Sequence, residues 1–264
     1  MTDPVIHTFD SGDDLGRALA ARIASRVEPA LAERGHFQLG CPGGRTPTST
    51  YAALAREFAA RRLDLSGLRI VMMDDYIERD GDTWAQVDAD AHYSCRRFAR
   101  EDIQGVLNAG VSADRAIPDE NVWFADPHDP AAYDGRISDA GGIDFFILAS
   151  GAGDGHVAFN PPGSGVDSRT RIVTLAEQTR RDNLATFPDF GDLGHVPTHG
   201  LTMGIATIAE LSHEAAMILI GSDKQEAYRR LTGGTGYDPQ WPATVYHLIS
   251  DAGLWVDSAA AGGN

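Results

Sequence analysis

The sequence predicts an α/β fold built on a mostly parallel sheet with helices on both faces. Two observations carry this. Short apolar runs of strand length alternate with longer stretches whose apolar residues recur every three or four positions. Several of the runs end in glycine-rich or acidic loops, and open parallel sheets bind ligands beyond the carboxyl ends of their strands. The chain has 264 residues, 42% hydrophobic and 23% charged, enough apolar material for one sizeable core. With no internal repeat and no linker, residues 1–264 read as a single domain.

The elements follow in chain order. Asp13 is placed to cap a helix in which Leu15, Leu19, Ile23, Val27 and Leu31 form one face, and Gly35 ends it. Phe37–Gly40 reads as a strand, Pro42–Pro47 as a loop and Thr48–Ala60 as a helix. Leu68–Met73 is a strand ending at Asp74 and Asp75. A helix follows around Tyr93–Asp102. Ile143–Ala149 is a continuous apolar run, the pattern of a strand covered on both faces. Residues 171–175 look extended. Residues 176–200 are polar, with scattered Gly and Pro and no apolar period, which predicts a lid or substrate loop. Ala215–Ile220 is a strand, followed by Gly221-Ser222-Asp223-Lys224 and a helix through Leu231. A last helix near Thr244–Ile249 leads to Leu254–Val256, and the Ala-Ala-Ala-Gly-Gly-Asn end reads as a frayed tail.

The formal net charge of −16 argues against nucleic acid or an anionic membrane as partner, since both demand clustered Lys and Arg. A phosphorylated small molecule stays open, because a few local cations and helix N-termini suffice. Cys41 and Cys95 are too few for a disulfide framework, so a reducing cytoplasm is expected. Met1-Thr2-Asp3-Pro4 has no basic start followed by an apolar stretch, so no signal peptide is expected. No apolar run approaches the roughly 20 residues that span a bilayer. A homo-oligomer stays open.

Four loops carry candidate chemistry. Gly43, Gly44, Arg45 and Thr46 precede a helix: exposed amides and a guanidinium could cradle an anion, although a plain βα turn has the same outline. Asp74, at a strand end, could serve as a general base if burial tunes it; a loop acid or helix cap is the alternative. Asp154 and His156 flank a glycine in a turn after a buried strand, where a carboxylate could orient an acid–base imidazole. Lys224 begins a helix, where its charge opposes the dipole, so a ligand contact explains it better than stability does. HExxH and CxxC motifs are absent, so a protein-held metal is not expected, and the dinucleotide fingerprint and a GxSxG elbow are absent too.

Taken together and in this order, the loops resemble the glucosamine-6-phosphate deaminase/6-phosphogluconolactonase superfamily. The most specific pieces are Met73-Asp74-Asp75-Tyr76, Gly155-His156-Val157-Ala158-Phe159-Asn160, Ser168-Arg169-Thr170-Arg171-Ile172 and Leu201-Thr202-Met203-Gly204. The Phe-Asn pair and the Ser-Arg-Thr-Arg-Ile run are similar to the deaminase branch. The resemblance implies a three-layer, modified Rossmann-like fold, an amino-sugar phosphate substrate, and conversion of glucosamine 6-phosphate to fructose 6-phosphate and ammonia without a cofactor. It implies that Asp74 moves a proton between C2 and C1, that His156 with Asp154 opens the pyranose ring, and that Pro42–Thr46 with Lys224 hold the phosphate.

The sequence departs from the deaminase pattern at three places. Pro161 stands where a Glu assists ring opening, with Asp167 a candidate substitute. Ala185 stands where the lid (about 161–200) carries a phosphate-binding Arg; Arg45, Arg180 and Arg181 are candidates to compensate. Arg171 matches one half of an allosteric pair, but Val173 replaces its Lys, so activation by an N-acetylated sugar phosphate is not expected. A lactone hydrolase and a non-catalytic sugar-phosphate sensor remain as alternative readings.

Overall fold

The computed structural model describes residues 5–263. Met1–Pro4, on which the expectation about a signal peptide rests, lie outside the described residues. The strands are β1 (Val5–Phe9), β2 (Phe37–Cys41), β3 (Leu68–Met72), β4 (Asp74–Asp80), β5 (Thr83–Gln86), β6 (Val122–Trp123), β7 (Ile143–Ala149), β8 (Arg171–Thr174), β9 (His199–Thr202), β10 (Ser212–Leu219) and β11 (Asp251–Asp257). The α-helices are α1 (Gly12–Arg34), α2 (Thr48–Arg61), α3 (Cys95–Phe98), α4 (Gly105–Leu107), α5 (Ala131–Asp139), α6 (Glu177–Thr186), α7 (Ile205–Leu211) and α8 (Gln225–Thr232).

Seven strands form a parallel sheet in the order β1-β11-β10-β7-β2-β3-β6. Helices cover both faces, and β7 shows why its sequence is apolar throughout. Phe145 and Ile147 point into one core with α1 and α2, while Phe146 and Leu148 point into the other with α5, α7 and α8. Successive side chains alternate sides, so a strand covered twice cannot alternate in polarity. This is the Rossmann-like three-layer architecture.

The topology also fixes where a ligand can sit. From β2 the chain proceeds outward through β3 to β6, whereas from β7 it proceeds the other way through β10 to β11. The crevice beyond the carboxyl ends of β2 and β7 is therefore a topological switch point. A second sheet, β5-β4-β9-β8, is antiparallel and continues from β3.

Several local expectations are corrected. Ser11, not Asp13, caps α1: its hydroxyl accepts from the Asp14 amide, and Gly35 closes the helix at φ 73°. The chain does not stop at Asp74 and Asp75; Met73 is a pivot between sheets, its carbonyl accepting from the Met203 amide at 2.8 Å. The helix expected at Tyr93–Asp102 starts at Cys95, capped by the Ser94 hydroxyl, and runs through a π-helical stretch (Ala99–Gln104) into α4. The stretch 176–200 contains α6, because its contacts lie on a narrow polar face that no apolar period marks. The helix near Thr244–Ile249 is a 3-10 segment, Pro242–Leu248. The alanine-rich end is not frayed within the described residues: Ala260 is buried and its amide donates to Asp257. Both cysteines are free and buried, and among the described residues no helix is long and apolar enough to cross a membrane.

Candidate active site

The loops after β2, β3, β7 and β10 converge on one cleft of about 940 Å³, bordered on its remaining side by α6. Gly43, Gly44, Arg45, Thr46, Asp74, His156 and Lys224 all line it. Asp154 stands directly behind His156.

The turn after β7 is built around that pair. Asp154 Oδ1 accepts from the His156 backbone amide at 3.1 Å and lies 2.7 Å from His156 Nδ1. Nδ1–H therefore donates to the carboxylate and leaves Nε2 as the ring's free lone pair. Burial works to raise the Asp154 carboxyl, but the hydrogen bonds from His156 and Thr179 outweigh it and hold the group below its usual value. Two glycines are required here. A Cβ on Gly151 would lie 2.2 Å from His156 Nδ1, and Gly155, at φ 65°, packs its α-carbon on the Trp241 ring.

Asp74 opens β4, paired in register with Thr202. Thr202 Oγ1 in turn accepts from the Phe159 amide at 3.1 Å. One threonine thus ties the strand carrying Asp74 to the turn carrying His156. Burial pushes the Asp74 carboxyl up to about 7, partly countered by His156. A carboxylate tuned to that range can both take and return a proton near neutrality. The Cys95 thiol lies 4.0 Å from its Oδ1. Asp75 points to the other face of β4, 1% exposed, with Arg96 Nε 3.8 Å away, so of the two adjacent acids only Asp74 reaches the cleft.

The cleft is also lined by two cations, Lys224 and Arg45. Lys224 Nζ donates to the Ser150 carbonyl at 2.8 Å, and burial pushes its ammonium down. The Arg45 charge stands close enough to press it further. Among the described residues the Gly43 and Gly44 amides donate to nothing, and α2 begins beside them with Thr48 and Ser49 on the cleft. Loop amides, a helix N-terminus and two cations on one cleft are the groups that hold an anion elsewhere.

Other expected residues are placed elsewhere. Asp167 is exposed and does not line the cleft, nor does Pro161. Arg180 donates to the Leu193 and Val196 carbonyls, and Arg181 pairs with Glu177, so neither replaces an Arg at Ala185. Arg171 donates to Asn160 Oδ1 at 2.9 Å and so braces the turn. Sequence reading missed Thr179, Asp182 and Asn183, which α6 brings to the turn or the cleft. The spacing of Thr179 and Asp182, three apart on a helix, was the available signal. Asp154, His156 and Asp182 each offer an atom within 4.8 Å of the others. That spacing alone would admit a cation, but Asp154 is already engaged by His156 and Thr179.

The sequence matches the glucosamine-6-phosphate isomerase/6-phosphogluconolactonase family over residues 10–255. It is 36% identical to glucosamine-6-phosphate deaminases of Beutenbergia cavernae (92% of this chain, 87% of that one) and Mycolicibacterium smegmatis (94% and 89%). A solved monomeric glucosamine-6-phosphate deaminase superposes with a TM-score of 0.79 at 28% identity, covering 98% of this chain and 99% of that chain. A 6-phosphogluconolactonase from Shewanella baltica shares the fold at a TM-score of 0.68 and 18% identity, covering 97% and 98%. The chain belongs to the glucosamine-6-phosphate isomerase/6-phosphogluconolactonase family.

Proposed function

We propose that the protein converts glucosamine 6-phosphate, or a close amino-sugar phosphate, into fructose 6-phosphate and ammonia. The observation that carries this is the shared cleft, which brings together a carboxylate tuned to about 7, an Asp-oriented histidine, two cations and the Gly43 and Gly44 amides. A lactone hydrolase has no task for a base at Asp74. The deaminase names of the 36% identical relatives support the same choice.

Arg45, Lys224 and the Gly43–Thr46 loop hold the phosphate, which fixes the sugar's other end against Asp74 and His156. His156 Nε2 takes the proton of the C1 hydroxyl and passes it to the ring oxygen as the C1–O5 bond breaks. Asp154 stabilises the transient imidazolium. Asp74 takes the C2 proton while the C1 carbonyl oxygen takes one from water as the double bond forms between C1 and C2, and Asp74 then returns its proton to C1. The imine left at C2 adds water and releases ammonia. No cofactor enters this sequence. Residues 1–264 act as one domain, with the segment about 161–200 covering the substrate.

Incubation with glucosamine 6-phosphate should yield ammonia and fructose 6-phosphate in equal amounts. Faster loss of 6-phosphogluconolactone with no ammonia would favour the hydrolase; thermal stabilisation by both sugars without turnover would favour a sensor.

A further inference from the structure

Pro161 occupies the place where the resemblance leads one to expect a Glu, and Asp167 is too far out to replace it. The missing acid comes from a different element. Asp182, in the middle of α6, lines the cleft, and its carboxylate lies within 4.8 Å of both a His156 ring nitrogen and the Asp154 carboxylate. Its position is held on two sides. Gln178 Nε2, one turn earlier, donates to Asp182 Oδ1 at 2.9 Å. Thr179, on the same face, lies with its hydroxyl 3.3 Å from both Asp154 Oδ2 and His156 Nδ1 and is 1% exposed. Residues three and four apart on a helix share a face, so fastening Thr179 to the histidine turn aims Asp182 at the same spot.

We propose that Asp182 is a positioning residue for ring opening: its carboxylate faces His156 from α6 and stabilises the imidazolium that forms when the histidine takes the C1 hydroxyl proton. This rests on the deaminase reading above. The proton balance is unchanged; Asp182 adds a second negative charge beside the cation without itself exchanging a proton. The charged groups facing His156 are then Asp154 on its own turn, Asp182 on α6 and Asp74 on β4. Lys224 stands near Asp154 and Asp182, and Arg45 near Lys224.

The test is Asp182→Asn in the full chain, with Asp182→Glu as the conservative variant. We expect Asp182→Asn to lower kcat on glucosamine 6-phosphate at least tenfold with KM changed less than threefold, and Asp182→Glu to recover part of it. An unchanged kcat in Asp182→Asn would overturn the proposal. So would a KM raised tenfold at constant kcat, which would assign Asp182 to Lys224 and the phosphate. Loss of wild-type activity in EDTA with recovery on added zinc would also overturn it, by assigning the cluster to a metal. If the wild type itself releases no ammonia, it is the deaminase reading that fails; a wild type that releases ammonia beside an equally fast Asp182→Asn overturns the role of Asp182 alone.

Discussion

At the scale of single residues, burial decides which acid does what. Asp74 and Asp75 are adjacent and both pushed up to about 7, but strand alternation sends one to the cleft and one to the interior. The sequence shows the pair and cannot rank them, because the pivot at Met73 that orients β4 depends on pairing with β9. For Asp74 the working form is the carboxylate. Activity should therefore fall as pH drops through about 7, visible as the acid limb of a kcat profile. With Arg180 and Arg181 engaged elsewhere, Arg45 is the arginine on the cleft that we propose stands in for the one missing at Ala185. Arg45→Ala should raise KM for the phosphosugar about tenfold or more, the scale of one lost charge-assisted hydrogen bond, with the melting temperature unchanged; an unchanged KM would remove Arg45 from the phosphate site.

Secondary-structure elements carry the precision of the site. The turn after β7 was legible from its glycines and its Asp–Gly–His spacing. What was not legible is how it is braced: by Arg171 through Asn160, by Thr202 from β9, and by Trp241 against Gly155. Each comes from a segment distant in sequence, with no local pattern to announce it. Gly155→Ala would place a Cβ 2.3 Å from the Trp241 ring at a φ of 65°. We expect it to cost more than about 2 kcal/mol in chemical denaturation and to lower kcat with it. The stretch 176–200 was read as a loop because α6 has one buried residue, Thr179, and so shows no apolar stripe. Helices that bury polar contacts are invisible to hydrophobic periodicity.

For the whole molecule, the parallel sheet and the cleft at its switch point were readable, because β2, β3, β7 and β10 are near-continuous apolar runs. The second sheet was not: β5 and β9 are short and mixed in polarity, and their pairing is fixed by tertiary contact. The folded state also has a predictable pH dependence. A carboxyl whose value is raised on folding favours the protonated form, so the stability it contributes is greatest below its unfolded value and is lost as pH rises through the folded one. Asp75, 1% exposed and raised from 3.8 to about 7, costs about 4 kcal/mol when ionised. Asp154, held low, works the other way, losing its contribution as pH falls toward the acid range. Between the unfolded value near 3.8 and the folded value of about 7 the raised pair dominates, so the melting temperature should fall from about pH 4 to about pH 7, and Asp75→Asn should flatten the fall.

The central claim is that Asp74 moves the substrate's C2 proton in a cleft that binds the phosphate independently. Its most direct test compares ammonia release from glucosamine 6-phosphate by the wild type and Asp74→Asn, with thermal stabilisation by fructose 6-phosphate measured on both. The account predicts a loss in kcat of about 10²–10⁴-fold, the usual contribution of a general base, with stabilisation by the sugar phosphate retained. Ammonia release at the wild-type rate by a folded, sugar-binding Asp74→Asn would contradict it.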